Sequence, residues 1–311
     1  MASQAFQNHK ETRMHWEQGA IYDLSWSGDG GLLTAAGAKG PVRSWRLERG
    51  GHKEGEELKD LGNDIERLAW CPALQNPHTL AAAAYEKCVY LWDQRAASVS
   101  AKLATGGLNS DICWSPSGKY LAVVNREESL EIFDMANSQA PVVVADLTDA
   151  VACTVKWDTS ERLLLMSTHQ GNVEVYAWPS MEHLTMIPAH AASCNAIGVD
   201  PRARFLATGG ADAAMNIWST DDYSIMRTVD AHESPLLLVD FSYDGRFIAS
   251  ASDDLAIRIH DSFSGDRAHQ LAVSSLTTAL EWHPRNLALA YGSSGSAKAS
   301  IKPTVTIFLK S

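Results

Sequence analysis

Absent from these 311 residues is any apolar run approaching the ~18 that a membrane-spanning helix needs. The first ten residues, Met1 to Lys10, lack the apolar core of a signal peptide. Cysteine is scarce: Cys71, Cys88, Cys113, Cys153 and Cys194 form an odd, scattered set of five with no Cys-x-x-Cys pair. Such a set reads as reduced thiols in a cytosolic or nuclear protein. Positive charge is also short, with 26 Lys and Arg against 37 Asp and Glu and a net charge of −11. That balance argues against a protein whose main grip is on nucleic-acid phosphates. Neither phosphate-cradling pattern, Gly-x-Gly-x-x-Gly or Gly-x-x-x-x-Gly-Lys-Ser/Thr, occurs, and the 11 histidines include no His-x-x-x-His pair. No metal, cofactor, membrane or small-molecule substrate is therefore expected.

Tryptophan, by contrast, is plentiful, and it is periodic. Trp26, Trp70, Trp114 and Trp157 fall 44, 44 and 43 residues apart, and steps of 42, 42 and 41 lead on to Val199, Phe241 and Trp282. Similar turns follow these anchors, among them Ser27-Gly28-Asp29-Gly30, Ser115-Pro116-Ser117-Gly118 and Ser242-Tyr243-Asp244-Gly245. Proline second and glycine fourth suit a type I β-turn. Seven copies at this period signal a β-propeller or a solenoid.

Each copy carries three short apolar segments. The first has apolar residues five and two places before the anchor, as in Ile65, Leu68 and Trp70. The second begins about seven places past it, at Leu33, Leu121, Leu164, Leu206, Ile248 and Leu289. The third closes 19 places past it, at Trp45, Phe133, Tyr176, Trp218 and His260. The second copy carries extra residues around Ala73 to Pro77 and closes at Trp92, and the seventh inserts Ser293 to Ser300 before Val305. Segments of this length and β-branched character, split by turns, are strands, and the longer 3.6-period segments of a helical solenoid are missing.

These repeats resemble the WD-repeat family. The fifth copy carries the pattern best, with His190, Thr208-Gly209-Gly210-Ala211-Asp212 and Asn216-Ile217-Trp218. The resemblance implies an all-β, seven-bladed propeller of four-stranded sheets, a single domain over 1–311. The chain stops soon after the third strand of its last copy, while Phe6 to Arg13 has no place in the repeats. An N-terminal closing strand within 1–16, followed by seven repeats over 17–311, would complete that blade and remove two exposed edges. The family also implies a structural tetrad of His190, Thr208, Asp212 and Trp218, joined by buried hydrogen bonds that fix the blade. A hydrolase triad of His190, Asp212 and Thr208 is the competing reading. It sits poorly with the sixth copy, where His232, Ser250 and Asp254 repeat those positions and His260 replaces the tryptophan. Elsewhere the turn acid becomes Glu86, Glu127, Gln170 or Lys39, and such blades must rely more on packing.

Lys119, Arg162, Arg204 and Arg246 all lie five places past their anchors, with Arg202 and Arg285 near the same turns. They would share one rim, which reads as a solvated face diluted by Asp158, Glu161, Asp200 and Asp244, or as a basic contact rim. On the other side, Tyr85, Arg126, His169 and Asp253 each stand seven places before a closing residue and are candidate partner-binding residues.

Longer stretches resemble the subunit 3 family of the THO complex, the assembly coupling transcription to mRNA export. They are Asn109 to Pro116, Tyr176 through His190, Ala249 to Asp254 and Leu280 to Pro284. This resemblance implies a non-enzymatic nuclear scaffold in mRNA processing and export. Its partners would be other THO/TREX subunits, with RNA met at most indirectly. Another WD-repeat adaptor, such as a histone or degradation-substrate receptor, is the alternative.

Overall fold

The computed structural model describes residues 5–310 except 17–18, 39, 49–50, 53–54, 63, 74–76, 139, 148–151 and 297–299. Its strands form seven sheets, here called blades 1–7. The inner strands are Ile21–Trp26, Ile65–Trp70, Asn109–Trp114, Ala152–Trp157, Cys194–Val199, Leu236–Phe241 and Thr277–Trp282. Each inner strand packs beside the next, and the seventh returns to the first, so the ring is closed.

One device recurs in all seven inner strands. The pairing register with the second strand slips after the first residue, between Ile65 and Arg67 in blade 2, for example, and at the equivalent place in every other blade. A strict two-residue alternation would put residues five and two places before the anchor on opposite faces. The bulge adds one residue and returns both to the core side, so Ile65, Leu68 and Trp70 are buried together.

The closing strand is His9–Met14, paired antiparallel with Val305–Lys310 as the fourth strand of blade 7. Ahead of it Phe6, 2% exposed, enters an aromatic nest. Its ring lies 4.9 Å from Phe247 and 6.0 Å from Phe308, and His269 stacks on Phe308 at 5.1 Å. Trp16 follows the strand and donates its indole N–H to the Gly19 carbonyl at 2.8 Å, tying the seal to blade 1.

Blade 1 departs from the expected four regular strands. Its outer edge is two short pieces, Gly51–His52 and Glu56–Glu57, each paired with part of Arg43–Glu48. Glycine and charged residues dominate that stretch and favour extended structure weakly. Lys39, at the turn-acid position of blade 1, and residues 74–76, in the middle of the second copy's extra residues, lie outside the described residues.

Candidate functional site

Blade 5 brings His190, Thr208, Asp212 and Trp218 into one chain of hydrogen bonds. The Trp218 indole N–H donates to Thr208 Oγ1 at 3.0 Å, and the Thr208 hydroxyl meets His190 Nε2 at 2.9 Å. His190 Nδ1 lies 3.0 and 3.2 Å from the two Asp212 carboxylate oxygens. With Nε2 accepting, Nδ1–H is the donor, so the polarity runs from indole to hydroxyl to imidazole to carboxylate. The His190 side chain is fully buried while Asp212 is 26% exposed, so only the carboxylate end touches solvent. A Cβ at Gly210 would collide with both His190 and Asp212, so the turn requires glycine there.

Blade 6 holds a shortened version. The Ser250 hydroxyl meets His232 Nε2 at 2.8 Å and His232 Nδ1 meets Asp254 at 3.0 Å, with the Arg258 guanidinium also on Asp254. His260, in the tryptophan's place, is 3% exposed and its Nδ1 has no hydrogen-bond partner among the described residues. Burial pushes its imidazole down to about 4. Burial lowers His232 as well, and His269 in the outer strand of the same blade. All five cysteines are free, and burial raises the thiols of Cys71, Cys113 and Cys153, and that of Cys194 to about 12. Those thiols are poor nucleophiles at neutral pH. Among the described residues, no group of three or more His, Cys, Asp or Glu is arranged to hold a metal ion.

Of the four candidate partner-binding residues, the structure brings two together. Tyr85 is 53% exposed, and the Arg126 guanidinium lies 5.7 Å from its ring centre while pairing with Glu66 at 2.7 Å. His169 is exposed on blade 4 and meets Ser193 Oγ at 3.3 Å, and Asp253 is exposed at the equivalent turn of blade 6. On the opposite rim three of the six cations, Lys119, Arg204 and Arg246, are engaged within their own blades. Lys119 lies over Tyr120 at 4.6 Å, Arg204 over Phe205 at 5.0 Å and Arg246 over Phe247 at 4.9 Å. Each also has a carboxylate close by: Asp134 at 3.9 Å, Asp200 at 2.7 Å and Asp261 at 3.8 Å, respectively.

The sequence reading missed the central channel. It holds about 550 Å³ and is lined by the inner strands, which present Asp23, Asp111, Asp240 and Glu281 beside Arg67 and Lys156. The carboxylates fasten one blade to the next. Asp23 accepts the Leu68 N–H at 2.8 Å, Asp111 the Val155 N–H at 2.9 Å, Asp240 the Trp282 N–H at 2.8 Å and Glu281 the Trp26 N–H at 2.9 Å. Burial pushes the Asp23 and Asp240 carboxyls up to about 6, against the pull of Arg67 and Lys156 respectively. Burial, with Asp240 and Asp23 nearby, raises Glu281 well above the usual carboxylate range. For Lys156 burial disfavours the charge, yet Cys113, Asp111, Asp240 and Glu281 around it hold its pKa above the ordinary value. These residues stand one or three places before their anchors, and charge at those places of an apolar strand was the available signal.

Residues 223–261 match the family described as WD domain, G-beta repeat, and residues 73–209, under half of the chain, match that of eukaryotic translation initiation factor eIF2A. THO complex subunit 3 of Arabidopsis thaliana is 30% identical over 291 residues, covering 93% of this chain and 89% of its own length. The WD repeat-containing protein AAC3 of Dictyostelium discoideum is 28% identical over 292 residues, 86% of this chain and 60% of that one. Pre-mRNA-processing factor 19 of Caenorhabditis elegans is 26% identical over 153 residues, 47% of this chain and 30% of that one.

Proposed function

The chain belongs to the THO complex subunit 3 family of WD-repeat proteins, and from that membership we propose that it is a non-catalytic scaffold of a nuclear THO/TREX assembly, acting in mRNA processing and export. The observation that carries this reading is the extent of the similarity, 93% of the chain and 89% of the relative, which is the whole ring and not one blade. The chemistry of blades 5 and 6 supports it. The three residues that suggest a hydrolase, His190, Thr208 and Asp212, are consumed with Trp218 in a hydrogen-bonded strut, and blade 6 repeats most of that strut.

Other THO/TREX subunits are the partners, and the Tyr85–Arg126 pair, with His169 and Asp253, forms one contact face. RNA is met through those partners, since Lys119, Arg204 and Arg246 already face rings and carboxylates of their own blades. Purification of the tagged full chain from nuclear extract, with identification of its companions, tests the reading. Recovery of the other THO subunits in stable proportion is expected. Their absence, or recovery of a histone-handling or degradation assembly instead, would replace it with the adaptor alternative.

A further inference from the structure

Six of the seven seams between blades are closed by a large aromatic anchor at the end of an inner strand. These are Trp26, Trp70, Trp114, Trp157, Phe241 and Trp282, none more than 5% exposed. In three of them the indole N–H also crosses the seam to the carbonyl just before the preceding blade's anchor. Trp114 reaches Ala69 at 2.9 Å, Trp157 reaches Cys113 at 3.3 Å and Trp26 reaches Glu281 at 3.3 Å. At the blade 3–4 seam Trp157 stacks on Tyr120 at 6.2 Å and meets Trp178 edge-on at 5.2 Å.

The seam between blades 4 and 5 lacks this closure. Its anchor is Val199, and Leu163 stands where Tyr120 stands in the seam before. Valine supplies neither the ring volume nor a side-chain N–H, and a cleft of about 510 Å³ opens there, lined by Leu163, Trp178, Val199, Leu206 and Tyr223, with two carboxylates, Asp158 and Asp221, against the single cation Arg162. Leu163, Trp178, Val199 and Tyr223 are only half-buried, whereas the aromatic anchors of the other seams are buried. Among the described residues no tryptophan is free to fill it. Trp16, Trp45, Trp92 and Trp218 are each buried in place, Trp178 is a wall of the cleft, and no residue outside the described ones is aromatic.

We propose that this cleft takes the aromatic side chain of a partner polypeptide, a tryptophan, with a basic neighbour facing Asp221. Its size and the apolar part of its walls, Leu163, Trp178, Val199 and Leu206, suit such a side chain with some flanking backbone, and a buried tryptophan is a frequent centre of binding energy. Other seams of the same ring are already built around an indole, so the complementary shape is a property of the repeat that the substitution at Val199 leaves vacant. The inference goes beyond the scaffold reading and does not depend on which assembly recruits the chain.

The probe is an acetylated, amidated Gly-Trp-Lys-Gly peptide carrying 5-fluorotryptophan, titrated with the full chain and followed by fluorine NMR. Saturable binding is expected, with loss when the peptide's tryptophan is alanine and weakening when its lysine is glutamate. Val199→Trp plugs the cleft from within and should weaken binding tenfold or more while leaving the melting temperature equal or higher. Leu163→Glu alters the half-exposed wall and should weaken binding similarly, so it reads the same cleft if the bulkier variant folds poorly. No saturable shift by the parent chain, or equal binding by the parent and both variants, would overturn the proposal.

Discussion

Replacing His190 by alanine removes the centre of the blade 5 strut. Thr208 is fully buried and loses the ring nitrogen that accepts its proton, at 2.9 Å in the intact protein. Asp212 is 26% exposed and rehydrates, so its lost contact costs little. The main penalty is one stranded buried hydroxyl, about 1–3 kcal/mol. An unfolding entropy of roughly 2.1 cal/mol/K per residue gives about 0.65 kcal/mol/K for a chain of this length, so the melting temperature should fall by about 2–5 °C. Thermal melts followed by circular dichroism at pH 7.5 read the change. A double-mutant cycle with Thr208→Val separates the network from simple loss of packing. Valine removes the hydroxyl itself, so the double variant should cost less than the two singles added together. An unchanged melting temperature for His190→Ala, or strictly additive losses, would refute the strut.

Blade 6 supplies the converse experiment: His260→Trp restores the indole donor toward Ser250 and should raise the melting temperature. The folded His260 imidazole titrates near 4, below its ordinary 6.5, so its contribution is complete above pH 6.5 and is lost as pH falls from there toward 4. The tryptophan variant should lose that acid-side decline in urea melts taken across this range. Channel carboxylates work the other way: Asp240 titrates near 6 against an ordinary 3.8, so its contribution is complete below about pH 4 and is lost as pH rises toward 6. Asp240→Asn keeps an acceptor for the Trp282 N–H without the buried charge and should gain stability at pH 7.5, by at most about 3 kcal/mol, with little gain at pH 4. Phe6→Ala empties the aromatic nest that seats the closing strand and should cost about 3–5 kcal/mol in denaturant melts.

The ring and its number of blades are legible in the spacing of the anchors, five of them tryptophan, because six of the seven copies bury one large aromatic side chain at a seam between blades. The bulge is legible too, once apolar residues three apart are seen where alternation demands an even step. Phe6 and the strand after it are suggested by a missing fourth strand, though the first residues of that segment form an aromatic plug and the pairing begins at His9. What local sequence hides is anything set by two blades at once. Asp23, Asp240 and Glu281 look like solvent-facing charges on amphipathic strands, and only ring closure shows that their acceptors lie across a seam. The irregular outer edge of blade 1 reflects weak local preference, with no neighbour to enforce a regular strand. Val199 is visible as the smallest anchor, but a small residue becomes a cleft only when the adjacent blade also recedes, as it does at Leu163.

Native-state hydrogen exchange on the full chain, resolved over His9–Met14 and Val305–Lys310, tests the closed ring most directly. These two strands seal the disc, so their hydrogen-bonded amides should be protected to the level of global unfolding, like those of the inner strands. Exchange of the 9–14 amides within seconds, while the rest of the protein stays protected, would show a ring that its own termini do not hold shut.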